Sequence, residues 1–244
     1  MISKDDQPAT DTLYPLRLQK FLSIAGICSR RHGEKMILDG KVFVNGRAVT
    51  ELGTKVDPRI ELVEIDGKPV QIQQRPVYIV LNKPPGYVTS CDQPGEKLVT
   101  DLVNIPERIY PVGRLDKDSC GLLLLTNDGA LHHRLSHPSF NHEKEYRVTL
   151  TAPVSDMDLN KMAAGMFLMG SRTRPAKIQR ISLRKFRIIL KEGKNRQIRR
   201  MVQKIGKEVL KLERIRIAGI RLKNLEAAAW RHLTEQEIKQ LTQT

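Results

Sequence analysis

The chain has 244 residues, enough for two domains or for one large domain with a small module. Hydrophobic residues make up 40%, which argues against wholesale disorder, and no stretch approaches the roughly 18 uncharged apolar residues of a membrane span. The net charge of +15 points to a polyanion, and one segment carries it: Ser171 to Lys223 holds 19 Lys+Arg against 3 Asp+Glu. A solvated face usually mixes signs, whereas clustered cations favour phosphate contact by counterion release. Cys28, Cys91 and Cys120 are odd in number and widely spaced. They suggest neither a disulfide framework nor a zinc site, and a reducing cytoplasm is the expected setting.

Residues 1–15 read as a flexible polar tail without the basic and apolar regions of a signal peptide. From Leu16 the pattern turns helical. Leu18, Phe21, Leu22 and Ala25 fall on one face, Gly26 ends the run, and Ser29 caps a second helix that Gly40 stops. Val42-Phe43-Val44 reads as a strand, and Asn45-Gly46 is a strong hairpin turn. R-L-x-K-F-L-x-x-A-G-x-x-S-R-R followed by G-K-V-x-V-N-G resembles an S4-type RNA-binding module of the αL type, over residues 16–63. Arg17, Lys20, Ser29, Arg30, Arg31 and Lys35 are its expected RNA contacts. Gln19 departs from the acidic residue common at that position.

Residues 64–76 read as linker, with Asp66-Gly67 as a turn. Val77 to Leu81 is β-rich and reads as a buried strand, and Asn82-Lys83-Pro84-Pro85-Gly86 as a rigid turn. Residues 87–112 look like loop with one short helix near Val99 to Val103. Gly113-Arg114-Leu115-Asp116-Lys117-Asp118-Ser119-Cys120-Gly121 then runs into four leucines closed by Asn127-Asp128-Gly129. An apolar run between such turns reads as a strand buried on both faces, with a charged loop on its lip. Locally, Asp116 fits either a functional carboxylate or a partner for Arg114 or Lys117. Ala130 to Leu135 reads as a helix. His132, His133, His137 and His142 lack the spacing of a metal site, so no metal is expected.

His142-Glu143-Lys144-Glu145-Tyr146-Arg147-Val148-Thr149-Leu150 reads as a strand with Tyr146, Val148 and Leu150 on one face. Ser155-x-x-Asp158 resembles a capping box. Phe186 to Leu190 is a strand. Ile198, Met201, Val202 and Ile205 then form an apolar helical stripe, with Arg196, Arg199, Arg200 and Lys204 on the other side. Thr234-x-x-Glu237 caps a last helix.

G-R-L-D with G-L-L-L-L-T-N-D-G, K-E-Y, and G-K-N-R-Q-I-R-R-M resemble the three catalytic motifs of the RsuA-type family of ribosomal RNA pseudouridine synthases, and N-K-P-P-G resembles the opening of their catalytic domain. Details of the second and third motifs are nearest to the RluF-like branch, which acts on 23S RNA. The resemblance implies an α+β protein: the S4 module, then a catalytic domain over 77–244 with a mixed, largely antiparallel sheet flanked by helices. The two domains are expected to move on the linker. It also implies that Asp116 is the catalytic carboxylate, that Tyr146 stacks on the uracil, and that Arg199 approaches Asp116. Arg114, Leu115 and Ile198 support them, and Lys83, Lys194, Asn195, Arg196 and Arg200 contact RNA. The reaction is an isomerisation, so no cofactor is expected.

The expected partner is ribosomal RNA, without a membrane, and the chain is expected to be monomeric. Which uridine is modified, and whether transfer RNA is also a substrate, the sequence leaves open. The long basic tail of some relatives has no counterpart, so tail-dependent targeting is not expected. The rivals are a non-catalytic S4-type ribosome-binding or assembly protein, and a glycoside hydrolase, which needs two carboxylates.

Overall fold

The computed structural model describes residues 14–72, 75–136 and 140–242; most of the expected tail and His137 lie outside them. The chain divides into two compact units, Met1–Val77 with Pro106–Arg108, and Tyr78–Ile105 with Ile109–Thr244. No helix among the described residues is long and apolar enough to cross a membrane.

In the first unit, strand β1 (Leu16–Arg17) leads into helix α1 (Leu18–Ile24), and α2 (Arg30–Leu38) follows. Leu18, Phe21 and Leu22 recur at helical spacing and are fully buried with Ile37 of α2. The Ser29 hydroxyl oxygen accepts the His32 N–H at 3.1 Å and so caps α2. Strands β2 (Val42–Val44) and β3 (Arg47–Ala48) form a hairpin, and β4 (Lys55–Val56) pairs back on β1. Residues 64–69, expected as linker, instead belong to a second hairpin, β5 (Val63–Ile65) and β6 (Lys68–Pro69). The sheet order is β3-β2-β5-β6. Asn45-Gly46 and Asp66-Gly67 both have positive φ at both central positions, the geometry that suits two-residue hairpins. Val63, buried opposite Val44, ties the second hairpin to the core.

The second unit is built on a nine-stranded sheet. Its elements in order are β7 (Tyr78–Lys83), a 3-10 turn (Val99–Leu102), β8 (Tyr110–Val112), β9 (Cys120–Thr126), α3 (Gly129–Ser136), β10 (Lys144–Leu150) and α4 (Asp156–Ala163). A small hairpin, β11 (Phe167–Leu168) and β12 (Ser171–Arg172), stands outside that sheet. Then come β13 (Lys177–Ser182), β14 (Lys185–Leu190), α5 (Gln197–Lys204), β15 (Val209–Ile217), β16 (Ile220–Arg221), β17 (Trp230–His232) and α6 (Glu235–Thr242). The strand order is β13-β14-β10-β15-β9-β7-β17, with β16 beside β15 and β8 beside β9. Every pairing in it is antiparallel except β9 with β15, so the sheet is mixed and largely antiparallel, as expected. β8 lies in the stretch read as loop; it is short, and Pro111 interrupts its β-signal.

All seven residues of β9 are buried. Leu122 and Leu124 pack with Leu131 and Leu135 of α3 and Leu241 of α6. A second core gathers Val148, Phe186, Ile188 and Leu212 against Leu159 of α4 and Ile198, Met201 and Val202 of α5. The amphipathic stripe of α5 is thus the face that anchors it.

The last helix is fastened by a reciprocal cap. The Thr234 N–H donates to Glu237 at 3.0 Å, the Glu237 N–H donates to the Thr234 hydroxyl at 3.3 Å, and Arg231 donates twice to the Glu237 carboxylate at 2.7 and 2.8 Å. Those Arg231 bonds are the main reason the Glu237 carboxyl is held at about 2, below its ordinary 4.5. A carboxyl lowered in the folded state stabilises fully above pH 4.5, and the effect is lost as pH falls toward 2. Glu237→Gln is therefore expected to lower stability at pH 7 by about 1–2 kcal/mol. The gap between the two proteins in thermal melts should close between pH 4.5 and 2.

Candidate active site

Strand β9 changes partners along one edge. Residues Leu124 to Thr126 pair antiparallel with β8, whereas Cys120 and Gly121 pair parallel with Glu213 and Arg214 of β15. Residues 113–119 leave β8 and re-enter at β9 beside that switch, so the charged loop rises where the sheet opens.

The loop is clamped along its whole backbone. The Arg214 guanidinium donates to the Arg114 carbonyl at 3.3 Å. The Thr89 hydroxyl donates to the Leu115 carbonyl at 2.8 Å and accepts the Leu115 N–H at 3.2 Å. Asp116 O accepts the Ser119 N–H at 3.0 Å, and Lys117 O accepts the Gly86 N–H at 2.8 Å. Arg199 donates to Asp118 O at 3.2 Å and reaches the Ser119 hydroxyl at 3.4 Å. The Lys83 ammonium spends its three donors on Pro84 O (2.9 Å), Lys117 O (3.2 Å) and Ser119 O (2.8 Å). Every carbonyl from residue 114 to residue 119 therefore has a donor. Such a loop holds its carboxylate in one place before any ligand arrives.

The Asp116 side chain points out of this clamp and is 29% exposed. Two cations of the basic segment face it. Arg196 Nη1 lies 3.8 Å and Arg199 Nε 3.9 Å from Asp116 Oδ2, and Arg196 also lies 3.9 Å from Asp118. Arg199 Nε is buried without a hydrogen-bond partner among the described residues. A shift of under 1 Å would close it onto Asp116, as site hydrogen bonds tighten when a substrate binds. Arg196 stands just before α5 in the left-handed region (φ +49°), a strained setting that aims its side chain at the loop.

Asp116 and Arg196 line one cleft of about 100 Å³, while Arg199 stands behind Asp116 and is not part of the wall. The cleft walls are Arg114, Leu115 and Asp116 of the loop, Tyr146 of β10, Lys194 and Arg196 ahead of α5, and Ile198 on it. Tyr146 sits directly across from Arg214 in the β10–β15 register, so the aromatic wall and the loop's anchor share one region of the sheet. Arg200 and Asn195 are not in the cleft wall: Arg200 donates to Asn195 O at 3.1 Å and Asn195 Oδ1 at 3.2 Å. In the first unit Arg17, Ser29, Arg30, Arg31 and Lys35 are exposed and Lys20 is half-buried. Arg31 and Lys35 lie one turn apart on α2.

Lys83 corrects an expectation. The sequence places it at RNA phosphate, yet its side chain is fully buried and its ammonium is saturated by carbonyls. Burial pulls it down to about 8 from 10.5. The folded state therefore binds fewer protons there than the unfolded chain between pH 8 and 10.5, and this group makes stability rise with pH across that window. Lys83→Met should cost roughly 1–3 kcal/mol at pH 7, because Pro84 and Ser119 carbonyls lose their donor. Denaturant titrations at pH 7 and at pH 10 should show the variant lacking that rise.

Sequence reasoning missed Thr89, Gly121, Gln197 and Arg214. Gln197 is buried, donates to Glu192 at 2.7 Å and accepts the Lys194 N–H at 3.1 Å, and so shapes the turn before α5. Arg214, 2% exposed, donates also to Leu122 O at 2.8 Å. Its place in a run of basic residues disguised it as one more surface cation. Among the described residues no group of three or more His, Cys, Asp or Glu is arranged to hold a metal.

A clamped carboxylate, an aromatic wall and facing guanidinium groups define a site for a planar ring joined to an anionic backbone. The family model of RNA pseudouridylate synthases matches residues 77–204, and that of the S4 domain matches residues 16–59. The chain belongs to the RNA pseudouridylate synthase family and is a pseudouridine synthase, an isomerase. Among its relatives, ribosomal large subunit pseudouridine synthase B of Bacillus subtilis is 43% identical, over 92% of this chain and 95% of that protein. The dual-specificity RNA pseudouridine synthase RluF of Escherichia coli K12 is 40% identical, over 91% of this chain and 77% of that protein. A crystal structure of a pseudouridylate synthase superposes with a TM-score of 0.70 at 31% identity, covering 93% of this chain and 99% of that one.

Proposed function

We propose that the protein isomerises a uridine of large-subunit ribosomal RNA, with Asp116 as the catalytic carboxylate. The observation that carries this reading is the cleft in which the loop of Asp116, the tyrosine of β10 and the cations before α5 meet. In the reaction the N1–C1′ bond breaks, the uracil turns and C5 bonds to C1′. The C5 proton leaves and N1 gains one, so the step balances without oxidant, metal or cofactor. Asp116 acts on the ribose, as nucleophile at C1′ or as base. Tyr146 stacks on the flipped uracil, whose extrusion gives Asp116 access to the sugar. Arg199 and Arg196 steady the carboxylate, and Lys194 and Arg196 meet the flanking phosphates. Arg114, Leu115 and Ile198 shape the wall. The S4 unit adds sequence-independent affinity through Arg17, Lys20, Arg30, Arg31 and Lys35.

The large-subunit assignment rests on the relative from Bacillus subtilis, and the dual-specificity name of the Escherichia coli relative calls for testing a second class of RNA, for which we choose transfer RNA. A cytoplasmic monomer is the form we assign. The test is loss of the C5 hydrogen: RNA transcripts carrying uridine tritiated at C5 are incubated with the protein alone. Tritium should pass to water from large-subunit RNA. No release from large-subunit, small-subunit or transfer RNA, including RNA from assembly intermediates, would overturn the proposal.

A further inference from the structure

A second cavity lies beyond the catalytic cleft, at the other end of α5. It measures about 230 Å³ and is lined by Leu168, Met169, Arg200, Gln203 and Lys204. The hairpin of β11 and β12 forms its lip. Leu168 turns inward and is 8% exposed, while Phe167 and Met169 on either side are each 61% exposed. Met169 (φ +48°) and Gly170 (φ +78°) make the turn. Asn, Asp or Gly suit that first position, and a methionine there is strained. The chain thus holds a large, apolar, adaptable side chain out in solvent at a conformational cost, beside an equally exposed phenylalanine.

The charged side chains that line this cavity or bond to its lip are all cations. Lys204 donates to Phe167 O at 2.8 Å, and Lys194 donates to Ser171 Oγ at 2.7 Å and Arg172 O at 3.0 Å. Among the described residues the Arg200 guanidinium bonds only to Asn195, and Arg172 reaches Ala164 O at 3.4 Å. All four cations are spent on uncharged oxygens: among the described residues none has an ion pair. Apolar faces flanked by unneutralised cations suit a nucleotide, whose base stacks and whose phosphate is anionic. They suit an apolar protein surface less well, because burying those cations unpaired would be costly.

We infer that the Phe167–Met169 lip and its cavity bind an unpaired nucleotide of the RNA substrate, a few positions from the target uridine. The base stacks on Phe167 and Met169, the Gln203 amide reaches its edge, and Lys204 and Arg200 take the phosphate. The distance fits. α5 carries Ile198 in the catalytic cleft and Lys204 in the second cavity, and its axis spans only about 10 Å between them. This reading rests on RNA being the substrate, as proposed above.

The test compares wild-type protein with Phe167→Ala/Met169→Ala, using an RNA stem-loop that the wild type modifies. Both side chains are exposed, so melting temperature should not change. RNA affinity should fall about 10-fold, within the range for losing one base stack. The single-turnover rate at saturating RNA should stay within about twofold, and Phe167→Trp should bind as wild type does. Removing one base from the RNA near the target should weaken wild-type binding and leave the double variant unaffected. Equal affinity of the two proteins for intact RNA would overturn the inference. So would an affinity loss that no base removal reproduces, or a double variant whose only change is loss of a concentration-dependent dimer. Because affinity is read directly, the inference can fail while turnover stands, and absence of turnover would indict the proposed function instead.

Discussion

Gly121→Ala should leave little folded protein. A Cβ at this position would lie 2.3 Å from the Arg214 carbonyl oxygen and 2.7 Å from its nitrogen, both backbone atoms that cannot swing aside. The residue also sits at φ +102°, where a side chain is strained even in open space. To admit a methyl group, β9 and β15 must part at their only parallel contact, Cys120–Glu213 and Gly121–Arg214. Arg214 would withdraw with them, and with it the donors to Leu122 O and Arg114 O. The expected loss is about 4 kcal/mol or more, a large part of the stability of an ordinary domain. Denaturant unfolding of the soluble fraction checks this, and a midpoint equal to wild type would show that the strands can separate cheaply.

Asp116→Asn should do the opposite: keep the fold and remove the chemistry. The side chain is partly exposed, and no carbonyl of its loop depends on it, so melting should change little. An amide retains the shape but neither attacks C1′ nor removes a ribose proton, so turnover should fall on the order of 10⁴-fold. RNA binding should survive and tighten slightly, because the substitution removes a negative charge 3.8–3.9 Å from Arg196 and Arg199. Loss of turnover together with loss of binding would mean that Asp116 serves the loop rather than the reaction.

How much of this could be read from the sequence depends on whether the signal was local. The leucine run of β9, the capping box at Thr234 and the stripe of α5 each declare themselves within a few residues and form as read. Ser155 forms only half of its box: it accepts the Asp158 N–H, but the Asp158 carboxylate takes the Ser155 hydroxyl instead of the backbone N–H. The strand order did not follow, because β15 reaches β9 across more than ninety positions and alternation carries no partner information. β15 was also hidden by its own charges: Lys211, Glu213, Arg214 and Arg216 sit among its apolar residues, and Arg214 points inward. Lys83 is hidden for the same reason. A lysine beside Pro-Pro-Gly looks like a surface cation, and only the fold brings three carbonyls around it. The positions of Asp116, Tyr146 and Arg199 came from motif likeness. The clamp that fixes Asp116 is assembled from Thr89, Gly86, Lys83, Arg199 and Arg214, and no single window of sequence contains it.

If Asp116 carries out the isomerisation of one uridine, its loss must abolish the product on native RNA. The most direct measurement maps pseudouridine by carbodiimide labelling and primer extension on ribosomal RNA treated in parallel with wild-type protein and Asp116→Asn. A stop is expected at a single uridine with wild type and none with the variant, at protein concentrations where both bind the RNA. The same stop at equal yield with Asp116→Asn would contradict that role of Asp116 and move the chemistry to another group in the cleft.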